Sequence, residues 1–164
     1  IYNGSYSNWQ RVGGKDSPIV TYGRQSNSGT YVYWQEHVLK NQKYRTDMQS
    51  LNGNSDIADA VARDSKAIGY VGVAYATARK GEVKILSVQE KADTPSYEPT
   101  STNIASGKYP ISRYLFIYTS GVPTGGTKEY LQFIISDEGQ KITEEVEYIP
   151  LPLEIRQEQL AKLK

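Results

Sequence analysis

An arginine followed by a Ser-Gly-Thr run has the residue types and spacing to bind an anion. Arg24 stands four residues before Ser28, Gly29 and Thr30, within the stretch "GRQSNSGT". A guanidinium can donate two parallel hydrogen bonds to a tetrahedral oxyanion such as phosphate. The two hydroxyls can donate to further oxygens, and the glycine lets the backbone come close because it has no side chain.

These residues lie where a predicted strand gives way to a predicted helix. Residues 17–23 are β-rich, and residues 29–40 carry apolar side chains near helical spacing, with Ser28 or Thr30 as the N-cap. In open α/β sheets, ligands bind beyond the carboxyl ends of strands, where helix N-termini attract anions. The spacing therefore predicts an oxyanion site at residues 24–30, although the same residues also fit an ordinary helix cap beside an unrelated arginine.

The remaining hydrophobic patterning predicts further strands and helices. These are a helix at 53–64 capped by Ser55, a buried strand at 67–76, strands at 82–88 and 111–119, a helix at 127–146 that restarts at Ser136, and a C-terminal helix with Pro152 in its first turn and lysines in its last. Residues 89–110 are polar and rich in Pro, Ser and Thr, which predicts an extended connection between lobes. The alternation of strands and helices through residues 17–88 predicts an α/β fold with a mostly parallel central sheet flanked by helices.

The composition limits the kinds of site that this chain can carry. It has 164 residues, 38% hydrophobic and 23% charged, which fits one globular domain. The formal charge is +1, without a basic tract, so we expect no nucleic-acid partner. The chain has no cysteine, which excludes disulfides and thiolate metal sites, and its single histidine, His37, leaves no room for a His-rich one. The first residue is Ile1, so we expect a processed or excised piece.

The other candidate motifs for catalysis or nucleotide binding are weak. His37 could join a Ser and an Asp in a hydrolase triad, but it lies within a predicted helix and the chain has no G-x-S-x-G elbow. The glycine-rich "VPTGG" lacks the pattern of a nucleotide-binding loop, and "DEGQKITEE" fits a solvated helix face. We therefore expect no catalytic residue, no metal site and no cofactor.

Five motifs in sequence order resemble those of the substrate-binding proteins of phosphate ABC transporters. They are "IYNGSYSNWQRVGGKDSPIV", "RQSNSGT", "KAIGYVGVAYA", "GKYPISRYLFIYT" and "FIISDEGQKI" with the following "YIPLP". The second of them matches the family's R-x-x-x-S-G-T phosphate motif in order and spacing. The resemblance implies a type II periplasmic-binding fold outside the cytoplasm, in the periplasm or anchored at the cell surface. It also implies that Arg24, Ser28, Gly29 and Thr30 contact phosphate from the second of two lobes.

The resemblance implies partners as well as a ligand. Residues 1–105 would form most of the second lobe, and residues 106–164 would form a crossover strand and helices returning toward a first lobe. Family members carry in that first lobe their own phosphate loop and an aspartate, which have no counterpart in this chain. We therefore expect the first lobe in the same polypeptide or as a separate chain, unless this is a reduced protein. A membrane permease would be a partner, and the exposed lobe interface could support an oligomer.

Two other functions remain open at the level of the sequence. The chain could be a phosphate-responsive sensor or interaction protein that keeps the fold without transport. It could also be a phosphatase that uses the same oxyanion contacts, although that would require an in-line nucleophile or metal ligands.

Overall fold

The computed structural model describes residues 1–146 and 148–163 and divides the chain into two units, Ile1–Ile85 and Leu86–Lys164. The first unit begins with a short 3-10 helix at Trp9–Val12. It then contains the strands β1 (Val20–Arg24), β2 (Gln49–Leu51) and β3 (Ala67–Gly69) and the helices α1 (Gly29–Tyr33), α2 (Asn54–Arg63) and α3 (Val73–Thr77). A π-helical turn at Trp34–Val38 continues α1.

The three strands of the first unit form a parallel sheet in the order β2-β1-β3. The register pairs Arg24 of β1 with Leu51 of β2, and Tyr22 of β1 with Gly69 of β3. The carboxyl ends of all three strands therefore meet at one edge of the sheet, with β1 in the middle. This arrangement confirms the predicted α/β fold with a parallel sheet.

Close packing of α2 on β3 fixes the position of that helix. Ile57 of α2 is fully buried. A Cβ atom built on Gly69 would lie 2.6 Å from Ile57 Cγ2 and 2.8 Å from Val61 Cγ2, well inside van der Waals contact. The glycine therefore lets the helix approach the strand closely. A second buried cluster contains Tyr2, Leu39 and Tyr70, with Trp34 and Tyr44 packed against it.

Two predictions in the first unit are wrong in detail. Only residues 67–69 of the predicted strand 67–76 are extended, and residues 73–77 form α3. Pairing with β1 stops at Gly69, and a short apolar run fits a helix as well as a strand. Helix α2 is capped by Gly53 rather than Ser55, because the Gly53 N–H donates to Asp56 Oδ2 at 2.9 Å.

The second unit contains a short antiparallel strand pair followed by four helices. These elements are β4 (Val88–Gln89), β5 (Ser96–Tyr97), α4 (Ser101–Ala105), α5 (Gly125–Ile135), α6 (Asp137–Glu145) and α7 (Leu153–Lys162). Ser136 caps α6 as predicted, since its Oγ accepts a hydrogen bond from the Gly139 N–H at 3.2 Å. Pro152 is the N-cap of α7 rather than part of its first turn, and Lys162 lies in the last turn as predicted.

Three further predictions fail in the second half of the chain. Residues 84–87 are irregular, so the predicted strand 82–88 reduces to β4. The predicted connection 89–110 contains β5 and α4. The segment 111–119 forms no strand in the part of the chain that is described, although its composition favours one. A strand requires a partner for its backbone hydrogen bonds, and the side chains of Leu115 and Tyr118 are 69% and 88% exposed.

Candidate functional site

The residues of the R-x-x-x-S-G-T motif connect the end of β1 to the start of α1. Arg24 is the last residue of β1, and α1 begins at Gly29. Of the two predicted caps, Ser28 and Thr30, Ser28 is the N-cap, because its Oγ accepts the Thr30 N–H at 3.2 Å. Its side chain is buried, with 7% of the residue exposed. The motif therefore lies at the carboxyl edge of the sheet, next to a helix N-terminus.

The Arg24 side chain reaches toward the start of the neighbouring helix α2. Its Nη1 donates to Oδ1 of Asn54, the first residue of α2, at 3.3 Å. Its Nε is buried and has no hydrogen-bond partner among the described residues. A buried donor without a partner destabilises the fold by about 1–3 kcal/mol, and by more when it is charged. An oxyanion is the kind of ligand that could accept from this guanidinium.

The start of α1 is electrostatically more open to an anion than the start of α2. The carboxylate of Asp56 already accepts the Gly53 N–H at the N-terminus of α2. The first turn of α1 contains no acidic residue. Because the positive end of a helix dipole favours negative charge, the N-terminus of α1 is electrostatically the better place for an anion.

Two tyrosines that sequence reasoning did not single out connect the first residue of this motif to the residue that follows it. The Arg24 backbone N–H donates to Tyr70 Oη at 3.2 Å. Tyr70 Oη lies 3.2 Å from Tyr44 Oη, which donates to the Tyr31 carbonyl at 2.9 Å. Burial is the main cause that raises the pKa of both phenols. A tyrosine is already protonated at neutral pH, so both hydroxyls can donate as well as accept. The Tyr70 ring stacks on Trp34, with centroids 4.4 Å apart.

Asn54 and Tyr70 could be anticipated only in part. Each follows the carboxyl end of a strand that neighbours β1, which is where ligand-binding residues collect in such sheets. Without the strand order, however, nothing in the sequence relates them to Arg24. Tyr44 lies in a loop between α1 and β2 and carries no local signal.

A hollow of about 610 Å³ opens beside the middle of the motif. It is lined by Gln25, Ser26 and Asn27 together with residues of α1 and of the loop before β2, and Arg24, Ser28, Gly29 and Thr30 are not among its lining residues. Arg45 lines it too: its Nε and Nη2 donate to Asp47 at 2.5 and 2.7 Å, and its Nη1 is buried without a partner among the described residues. The hollow therefore borders the motif loop and Tyr31 of α1 without being lined by the four predicted contact residues.

His37 lies in the π-helical turn and is exposed. Its ring stacks on Tyr33 at 4.3 Å, and its Nδ1 is 3.2 Å from the Tyr33 carbonyl. In residues 1–146 and 148–163, no group of three His, Cys, Asp or Glu side chains could hold a metal ion. Across the same residues, none of the helices combines the length and apolar character needed to cross a bilayer.

Comparison with known proteins places this chain in a family. Residues 1–138 match the model of the PBP superfamily domain. The chain belongs to the PBP superfamily. Two PBP-superfamily relatives are the phosphate-binding protein PstS of Bacillus subtilis, 32% identical, and that of Pseudomonas aeruginosa strain PAO1, 29% identical. The matches cover 92% and 89% of this chain but 48% and 46% of those proteins, so the chain spans about half their length.

Solved structures of the superfamily share the fold of this chain. A candidate phosphate ABC transporter substrate-binding protein of Clostridium perfringens, solved with bound phosphate, is 29% identical with a TM-score of 0.75. PstS of Borrelia burgdorferi is 30% identical with a TM-score of 0.69. Each match covers 93% of this chain and 60% of the other. These comparisons confirm the predicted resemblance to phosphate transporter substrate-binding proteins.

Proposed function

We propose that this chain binds inorganic phosphate as part of the substrate-binding component of a phosphate ABC transporter. The observation that carries the proposal is the buried, partnerless Nε of Arg24, in the motif that connects β1 to α1. The first turn of α1 contains no acidic residue. The likeness to a protein solved with bound phosphate supports the choice of ligand.

Each residue of the motif would have a distinct role in the proposed site. Arg24 would supply positive charge and donors to the phosphate oxygens. Gly29 and Thr30 would offer backbone N–H groups at the start of the helix, and Gly29 would leave room for the anion. The hydroxyls of Ser28 and Thr30 would donate to the remaining oxygens.

We further propose that a second body completes the site from the opposite side. In this proposal, residues 1–105 form one lobe of the binding protein, and residues 106–164 lead toward the other. The chain's coverage of about half of its relatives supports this division. So do the exposed apolar side chains of the segment 114–118, which would become buried by pairing with a further sheet. The complete protein would work outside the cytoplasm and deliver phosphate to a membrane permease.

The energetics of half a site set the affinity expected of this chain alone. Charge-assisted hydrogen bonds contribute about 1.5–3 kcal/mol each, and the end of a helix adds roughly 0.3–2 kcal/mol. Association itself opposes binding by about 4 kcal/mol or more. We therefore expect a dissociation constant of roughly 1 mM or weaker for the isolated chain. Tight capture would require a second lobe that closes and excludes water.

A titration of the 164-residue chain with inorganic phosphate tests the proposal. Amide chemical shifts report weak binding directly, and we expect residues 24–30 to respond at millimolar phosphate. Arg24→Ala should abolish the response. Arg63→Ala is the matched control, because it removes the same charge from the exposed far end of α2. A micromolar constant for the isolated chain would contradict the half-site argument, and equal binding by the Arg24→Ala variant would contradict the site.

The proposal also makes this chain a binding protein rather than an enzyme. Turnover of a chromogenic phosphate ester distinguishes the two, and we expect none above the uncatalysed rate. Light scattering at two protein concentrations would show whether the exposed segment 114–118 drives self-association.

A further inference from the structure

We propose that Tyr70 and Tyr44 are positioning residues that hold Arg24, the first residue of the phosphate motif, at a fixed separation from Tyr31, the residue that follows the motif. This inference rests on the proposed function and concerns how the same site is kept in shape. The two hydroxyls join the Arg24 N–H to the Tyr31 carbonyl. Residues 25–30, which include the proposed phosphate contacts Ser28, Gly29 and Thr30, lie between Arg24 and Tyr31.

Counting protons fixes the direction of the hydrogen bonds in this relay. A carbonyl can only accept, so the single proton of Tyr44 is donated to the Tyr31 oxygen. Tyr70 must then donate its own proton to Tyr44, and it accepts the Arg24 N–H. Every donor points the same way, from the end of β1 to the first turn of α1. Aligned bonds of this kind polarise and strengthen one another.

The surroundings of Tyr70 hold its hydroxyl in place. The residue is 4% exposed, and its ring is stacked on Trp34 and contacted edge-on by Tyr2. Gly23 makes room for the hydroxyl, since a Cβ there would lie 2.9 Å from Tyr70 Oη. Packing of the Tyr70 hydroxyl therefore explains why a glycine precedes Arg24.

Tyr2 provides a control that separates positioning from stability. It is as buried as Tyr70, with 5% exposed, and belongs to the same cluster. Its hydroxyl also makes two hydrogen bonds, but to the carbonyls of Tyr22 and Ile68 at 3.0 and 3.1 Å. Replacing Tyr2 by Phe should therefore destabilise the fold to a similar extent without opening the relay.

The experiment compares phosphate titrations of the wild-type chain with Tyr70→Phe, Tyr44→Phe and Tyr2→Phe. Tyr70→Phe and Tyr44→Phe should each weaken phosphate binding by roughly five- to tenfold. Without one relay bond, the free energy of ordering the motif has to come from phosphate binding. The double variant at 44 and 70 should bind about as weakly as Tyr70→Phe alone, because both changes break one relay. Tyr2→Phe should bind as the wild type does. Exchange of the Arg24 amide proton should accelerate in Tyr70→Phe and not in Tyr2→Phe.

The outcomes distinguish this inference from the proposed function. Wild-type binding that survives unchanged in both relay variants would overturn the inference alone. An equal loss in Tyr2→Phe would overturn it too, because the effect would then be one of general stability. A wild-type chain whose amides do not respond to inorganic phosphate would overturn the proposed function and this inference with it.

Discussion

The contact between Arg24 and Asn54 predicts that one substitution should stabilise the fold and weaken phosphate binding. Asn54→Asp replaces the amide oxygen that lies 3.3 Å from Arg24 Nη1 with a carboxylate of nearly the same shape. The new charge lies at the first residue of α2, where the helix dipole favours it by about 0.3–1 kcal/mol. An ion pair with Arg24 adds up to about 1 kcal/mol. We expect the midpoint of thermal unfolding to rise by ~2–4 °C for each kcal/mol gained.

The effect of the same carboxylate on phosphate binding has the opposite sign. A phosphate on the Arg24 guanidinium would carry its charge roughly 6 Å from the carboxylate, where two unit charges repel by about 3 kcal/mol at an effective dielectric constant of 20. Screening at physiological salt reduces this to roughly 1–2 kcal/mol. The dissociation constant for phosphate should therefore rise by about 5- to 30-fold. Part of the loss should disappear at higher ionic strength.

Ser55→Asp is the matched control for this substitution. Ser55 is exposed and lies in the same first turn of α2, so the variant has the same net charge and a similar dipole gain. Its carboxylate has no contact with Arg24 to compete with phosphate. Thermal unfolding and amide-shift titration of both variants give the comparison. Unchanged phosphate binding by Asn54→Asp, or an equal loss in both variants, would refute the reasoning about Arg24.

Two further predictions concern stability. Gly139→Ala should lower the free energy of unfolding by about 1–3 kcal/mol, because its Cβ would lie 2.2 Å from the rigid Phe133 carbonyl oxygen. The Cβ of Gly126→Ala would meet nothing within 4 Å, so this variant should raise the free energy of unfolding by up to about 1 kcal/mol. Urea unfolding of the two variants gives the comparison, and equal effects would contradict the packing argument. Hydrogen bonds from Arg45 lower the pKa of Asp47 below its usual 3.8. The stability that this pair contributes is therefore present above pH 3.8. It is lost as the pH falls through the lowered pKa of the folded state. Asp47→Asn should remove that part of the acid dependence, which unfolding at about pH 6 and about pH 3 would measure; an unchanged dependence would show that other carboxylates dominate.

The parts of the fold that the sequence could predict are those that depend on local spacing. The sequence predicts Ser136, and either Ser28 or Thr30, as caps, because a hydroxyl before an apolar-periodic run can accept from free N–H groups within three residues. Ser136 and Ser28 are the caps that the structure shows. The longer helices are predicted from the helical spacing of their own apolar residues, which is also a local feature. The strand predicted at 67–76 is wrong beyond Gly69, because a continuous apolar run has no period that separates a strand from a helix. The segment 111–119 has strand composition, but pairing depends on a partner that local spacing does not describe.

The candidate site could be predicted only where the chain is continuous. Arg24 and Ser28 are four residues apart, so the spacing sufficed to join them. Asn54 and Tyr70 are 30 and 46 residues from Arg24, and their contacts depend on the strand order. A central β1 has a neighbouring strand on each side, each ending at the same edge. Arg24 can therefore be held through its side chain from one side and through its backbone from the other. An edge strand would allow only one of these supports, which is a physical reason for placing an anion-binding arginine on the central strand.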